Sequence, residues 1–359
     1  NENLMLALEK AAGYKGKPVT VRLSPGIYEL DRSKSTQVLY HISNTTSESE
    51  DPDPTKHIGL YLHSLKNITI DGCGSTLQMN GEMTSFVLDR CEGIILKNLN
   101  IDYKHPTQTE VEVLEEGKDY LIVQVHPTSQ YRIVDEQLEW YGDGWSFKNG
   151  IAQSYDRASN MTWRSWSPME NLIRAVELRP NVLYLQYKEK PQVGLHIVFQ
   201  MRDSFRDEVS GFVNRSKNVQ LENLNFYYLG NFGVVCQYSE NVTFDRCNFA
   251  PRPDSGRTNA GFADFIQVSG CRGMIDIRNS RFSGAHDDPI NIHGTHLRVM
   301  EFLSPNRLKV RFMHDQTFGF EAFFKGDDIE LVDPLSLLAV EKAKVKEAKL
   351  VTPREMELT

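Results

Sequence analysis

Three aspartates between Gly261 and Thr295 have the type and spacing for hydrolytic chemistry. The segment Asp264-Phe265-Ile266-Gln267-Val268 can be laid over Asp288-Pro289-Ile290-Asn291-Ile292 downstream, and over Val234-Val235-Cys236-Gln237-Tyr238 upstream. The last three positions keep their character: apolar, amide, apolar. The first changes from Val234 to Asp264 to Asp288, with Asp287 alongside. If these segments are stacked strands, the two carboxylates lie one rung apart, about 4.8 Å. Two ionised carboxylates at that distance repel, so one pKa rises or a water or cation bridges them.

Asp264 and Asp288 are then placed to share and activate one water. Inverting glycoside hydrolysis also needs a general acid about 6.5–9.5 Å from the base. Asp287 is a candidate, as is Glu321 from the C-terminal region. Gln267, His286, Asn291, His293 and His296 are polar groups near the same rungs and suit sugar hydroxyls. The acids by themselves equally fit turn chemistry or calcium. The histidines lack a partner motif for a transition metal, so no metal ligand or cofactor is assigned. Strict alternation would put Asp264 inside the core with Ile266 and Val268, at a high cost for a charge. The chain is therefore expected to turn at Ala263-Asp264 and at Asp287-Asp288, where Pro289 favours a bend, and to present the acids in a groove.

The elements that must hold these residues are repeats. Asn67 to Cys73, Gly93 to Ile101, Asn218 to Phe226, Asn241 to Phe249 and Met274 to Phe282 share one pattern. Each runs Asn or Gly, aliphatic, x, apolar, then a break and a second short alternation. That describes two short strands joined by a bend. The intervals from Ile68 to Ile94 and from Val219 to Val242 each fit one coil of a parallel β-helix, whose core exists only when coils stack. Asn or Gly before each strand can take a left-handed turn, and Asn columns can form hydrogen-bonded ladders. An amphipathic helix is expected near the start from Leu4, Met5, Leu8, Ala11 and Ala12. The polar, Pro-broken stretch 43–56 reads as an exposed loop.

The repeat is interrupted after Tyr103 and resumes near Ser216. Between them lie alternating runs at Glu110 to Leu114, Tyr120 to Val125 and Val182 to Tyr187, together with all four tryptophans. An inserted antiparallel barrel or small sandwich is expected. After Thr295, runs at Leu297 to Phe302 and Arg307 to Phe312 flank a turn at Pro305-Asn306, and further strands follow at 328–332 and 337–350. The expected organisation is β-helix coils over 1–103, an inserted barrel over 104–212, coils carrying the site over 213–296 and a second barrel over 297–359. The end without closing coils reads as a shortened fold.

Composition excludes several classes. A net charge of −8 argues against broad binding to a nucleic-acid backbone. No apolar run is long enough for a membrane helix. Five cysteines without a Cys-x-x-Cys pair fit buried free thiols.

Phe262 to Phe265 together with Gly284 to His296 resembles glycoside hydrolase family 110, the bacterial α-1,3-galactosidases. The resemblance covers most of the chain. It implies an all-β fold, a right-handed parallel β-helix with inserted antiparallel β-barrel domains. It also implies metal-independent, inverting removal of terminal α-1,3-linked galactose, as in blood-group B or Galα1-3Gal glycans, in a secreted, periplasmic or cell-surface setting. The family's active-site aspartates fall on Asp264, Asp287 and Asp288, and more weakly one acid falls on Glu321. The single Asp followed a coil later by an Asp pair also resembles polygalacturonases, but their Gly-His-Gly and Arg-Ile-Lys signatures are missing. A non-catalytic carbohydrate-binding β-helix explains the repeats but not the change from apolar to acid.

Overall fold

The computed structural model describes residues 2–14 and 16–359. It divides into two compact units: Asn1–Val38 with Thr55–Ile292, and Leu39–Pro54 with His293–Thr359. Almost every element is a strand; the one α-helix among the described residues, Glu2–Ala12, buries Leu4, Leu8 and Ala11.

In the first unit the repeats stack as parallel strands in register. Ile70 pairs with Leu96, Leu96 with Leu221, Leu221 with Phe244 and Phe244 with Ile277. Thr69 lies beside Ile95 and Val219 beside Val242, so the interval between rungs is the one the repeats predict. Aromatic rings continue the column: Phe226 lies on Phe249 at 4.6 Å and Phe249 on Phe282 at 4.9 Å, all nearly parallel. Left-handed backbone recurs at the predicted positions, with φ near +55° at Asn67, Asn218 and Asn241 and +66° at Gly93. A ladder of amides runs beside them, Asn223 donating to Asn98 at 2.7 Å and Asn225 to Asn100 at 2.8 Å.

Once per repeat the chain crosses to a second parallel sheet and returns. That sheet contains, in spatial order, Thr55–His63, Thr84–Asp89, Val209–Asn214, Phe232–Gln237, Ile266–Ser269 and Ile290–His293. The apolar core between the two sheets includes Leu88, Val213 and Cys236 from one and Leu96, Leu221 and Phe244 from the other. The five cysteines are free, and Cys91, Cys236 and Cys247 are buried.

The interrupting segment forms a seven-stranded antiparallel sheet, in the order Met161–Ser165, Ile151–Asp156, Ile197–Arg202, Thr109–Glu116, Tyr120–Val125, Val182–Tyr187, Leu172–Arg179. A three-stranded sheet over residues 131–147 shares its core, where Trp140 and Phe147 meet Val111, Leu121 and Phe199. Of the two expected forms, barrel or small sandwich, the structure takes the second: the two edge strands of the larger sheet are not paired with each other. Two sheets enclosing one core bury the apolar faces without closure. The second unit contains antiparallel sheets of four and two strands among the described residues. Of the expected exposed loop over 43–56, Glu48, Ser49, Glu50, Pro52 and Asp53 are exposed, but its start is not. Ser43, Thr45, Thr46 and Ser47 are buried, with the Thr45 hydroxyl donating to Ile42 O and the Asn44 amide donating to Gln316 O at 2.8 Å. One local and one long-range hydrogen bond satisfy polar groups that composition alone assigns to water.

Candidate active site

The site begins at the edge of the second parallel sheet. Val234 pairs with Ile266, whereas the sequence overlay sets it beside Asp264. The slip is two positions and leaves every side chain on its own face, which is why the pattern could not reveal it. The next offset is as the overlay has it. Phe265 N–H donates to Asp288 O at 3.0 Å and Ile266 N–H to Pro289 O at 3.2 Å, which sets Asp264 beside Asp288 on neighbouring rungs.

Backbone bends at Phe262-Ala263 and at His286-Asp287 release these positions from strict alternation. One carboxylate oxygen from each of Asp264, Asp287 and Asp288 lies within 4.8 Å of the others. Asp287 and Asp288 are exposed, whereas Asp264 is 3% exposed. Burial pushes the Asp264 carboxyl up to about 6, and the charge of Asp287 adds to this; the Asn291 amide, donating at 3.1 Å, and the charge of Arg206 oppose it. The cluster thus combines a buried acid titrating near neutrality with two solvated carboxylates. It can activate a water, pass a proton, or hold a hard cation through oxygen ligands alone.

The bend before Asp287 is anchored from beneath. His286 is buried; its Nδ1 accepts from Gln108 Nε2 at 3.1 Å, and its Nε2–H donates to Gln200 Oε1. Gln153 Nε2 donates to the His286 carbonyl at 2.9 Å. Burial, aided by the charge of Arg202, lowers the imidazole pKa to about 3, so the ring is neutral. Arg202, itself fully buried, sits over the Phe262 ring at 4.5 Å, and that ring meets His286 edge-on at 5.5 Å. Both ring nitrogens of His286 are thus engaged within the protein, although the residue also lines the cleft beside Asp287. Gln267 is also fully buried, in register with Val235. Asn291 is the expected sugar-contacting residue that joins the acids, through its bond to Asp264.

The other expected residues belong to the second unit. His293 is half-buried, its Nδ1 donating to Gly294 O at 2.9 Å; His296 is exposed; Glu321 is half-buried in an irregular stretch. Beside Asp287 opens a cleft of about 430 Å³, walled by Gln153, Arg164, Glu170, Arg206 and His286. Sequence reasoning passed over Arg164, Glu170 and Arg206, because no local motif links them to acids so far along the chain.

Two family models match the chain: GLAA-B beta-barrel domain I over residues 108–197 and GLAA-B beta-barrel domain II over residues 307–359. The chain is similar to alpha-1,3-galactosidase A of Bacteroides thetaiotaomicron, at 87% identity over 100% of this chain and 63% of that protein. It is 36% identical to alpha-1,3-galactosidase A of Bacteroides fragilis, over 94% of this chain and 56% of that one. It is 36% identical to the protein of the same name from Akkermansia muciniphila, over 97% and 58%. The chain thus spans about 56–63% of the length of these relatives. With identity running along its whole length and both barrel models in their places, the chain belongs to the family of these α-1,3-galactosidases.

Proposed function

We propose that this chain carries the catalytic site of an inverting exo-glycosidase that removes terminal α-1,3-linked galactose from glycans such as Galα1-3Gal or blood-group B structures. The observation that carries the reading is the convergence of Asp264, Asp287 and Asp288, whose carboxylate oxygens lie within 4.8 Å of one another. The names of the relatives supply the substrate class. In this reading the two parallel sheets form a right-handed β-helix that presents the acids at its side, and the protein acts outside the cytoplasm.

Asp264 and Asp288 share one water and draw its proton as it attacks the anomeric carbon. The general acid of an inverting pair stands about 6.5–9.5 Å from the base, farther than the separation within the cluster. Asp287 is exposed and lines the cleft, so its carboxyl is free to turn toward a glycosidic oxygen there. Release of galactose from Galα1-3Gal, followed by NMR of the first anomer formed, tests this. β-Galactose first supports inversion; α-galactose first redraws the carboxylate roles; no release by the folded protein counts against the activity.

A second reading follows from the same geometry. Three carboxylates this close also suit calcium, which takes six to eight oxygen ligands. Dialysis against a chelator decides between them: activity is expected to persist. Loss restored by calcium would give the cluster to the cation.

A further inference from the structure

Asp287 is the one member of the carboxylate cluster that lines the 430 Å³ cleft, and Ile151, Gln153, Arg164 and Ser165 of the inserted sheet line it too. Four polar residues form a row across four neighbouring strands of that sheet: Glu110 opposite Gln200, Gln200 opposite Gln153, and Gln153 opposite Arg164. The first three are buried and hold the loops of the acids. Glu110 accepts from the Thr258 amide and hydroxyl and from Asn259 Nδ2; Gln200 meets Thr258 and His286; Gln153 donates to His286 O. The fourth, Arg164, is exposed and lines the cleft, and its guanidinium makes no hydrogen bond or ion pair among the described residues. Glu170, on the same cleft, has an exposed and equally unpaired carboxylate.

We infer that the inserted sheet builds the leaving-group side of the site, with Arg164 and Glu170 binding hydroxyls of the neutral sugar to which the terminal galactose is attached. The inference rests on the catalytic reading of the carboxylates. A general acid stands beside the bond it protonates, so the cleft that contains Asp287 is where the departing sugar lies. Planar guanidinium and carboxylate groups offer paired donors and acceptors to adjacent hydroxyls. The three buried members of the row fix the position of Arg164 relative to Asp287, as a site on rigid elements requires.

The test compares Galα1-3Gal with p-nitrophenyl α-galactoside, which has no second sugar. Arg164→Ala and Glu170→Ala, both at exposed positions, are expected to lower kcat/KM for the disaccharide about ten-fold or more and to leave the aryl galactoside within about two-fold. Arg164→Lys, lacking the planar fork, is expected to restore only part of the loss. Equal loss on both substrates, or no loss on either, overturns the assignment. Full activity of Asp288→Asn on both substrates would overturn the carboxylate reading instead, whatever the Arg164 variants do.

Discussion

A buried aspartate that keeps its proton to about pH 6 acts on both stability and turnover. An unfolded aspartate titrates near 3.9. Between those values the folded chain binds more protons than the unfolded one, so stability falls as pH rises through the window and levels off above it. The difference is worth about 3 kcal/mol. Asp264→Asn is expected to flatten that slope and to raise stability at pH 7 by about 1–2 kcal/mol; melting curves from pH 4 to 7 check this, and an unchanged slope would refute it. In the wild type, kcat/KM is expected to drop below about pH 6 as the shared base takes up its proton, with an apparent pKa that belongs to the cluster. Asp288→Asn is expected to lower turnover about 10²–10⁴-fold with little change in KM, measured by galactose release. At this scale the acids were legible, because charge at an apolar repeat position is a local anomaly. The supporting residues were not. Gln108, Gln153, Gln200 and Arg206 acquire meaning only when distant strands meet, and buried His286 reads in sequence like any polar residue near a site.

The stacked strands were the most legible elements, since each coil repeats the same demand in the same order. Asn98 and Asn223 illustrate it: both have φ above +50°, and their amides bond to one another. Asn223→Ala is expected to cost about 1–2 kcal/mol, since it forces a Cβ into left-handed backbone without a polar side chain and breaks the ladder. Asn223→Gly, which relieves the backbone alone, should recover about half; equal losses in urea unfolding would refute the backbone contribution. Phe249→Ala opens the ring column between Phe226 and Phe282 and is expected to cost about 3–5 kcal/mol. What the sequence hid was register by two positions, the choice between barrel and sandwich for the antiparallel sheets, and the burial of Ser43 and Thr45 to Ser47. A period of two cannot sense a slip of two, alternation does not say whether edge strands meet, and composition does not show which polar groups find partners.

Across the whole first unit, Asn100 pairs with Asn225 although the two are 125 positions apart in the chain. An ordinary coil, such as that from Asn218 to Asn241, spans 23. Closing the longer span from an unfolded chain costs about 1.5 kcal/mol more than closing the shorter one. The cost disappears if the insertion folds first. All four tryptophans lie in the insertion, so their fluorescence reports it alone. In refolding, tryptophan emission is expected to recover before the far-ultraviolet signal of the parallel sheets is complete; one coincident phase would count against that order.

The insertion leaves and returns on neighbouring strands, Thr109 opposite Met201. Excised there, it would leave two chain ends about one strand spacing apart, roughly 4.8 Å, a gap that a short linker spans. The segment is in effect a cassette. Evolution or a protein engineer can exchange it among relatives and so recast the cleft beside Asp287, provided that the incoming segment keeps Glu110, Gln153 and Gln200, which hold the loops of the acids. Altered glycan preference in this lineage is then expected to track the inherited insert more closely than the catalytic rungs.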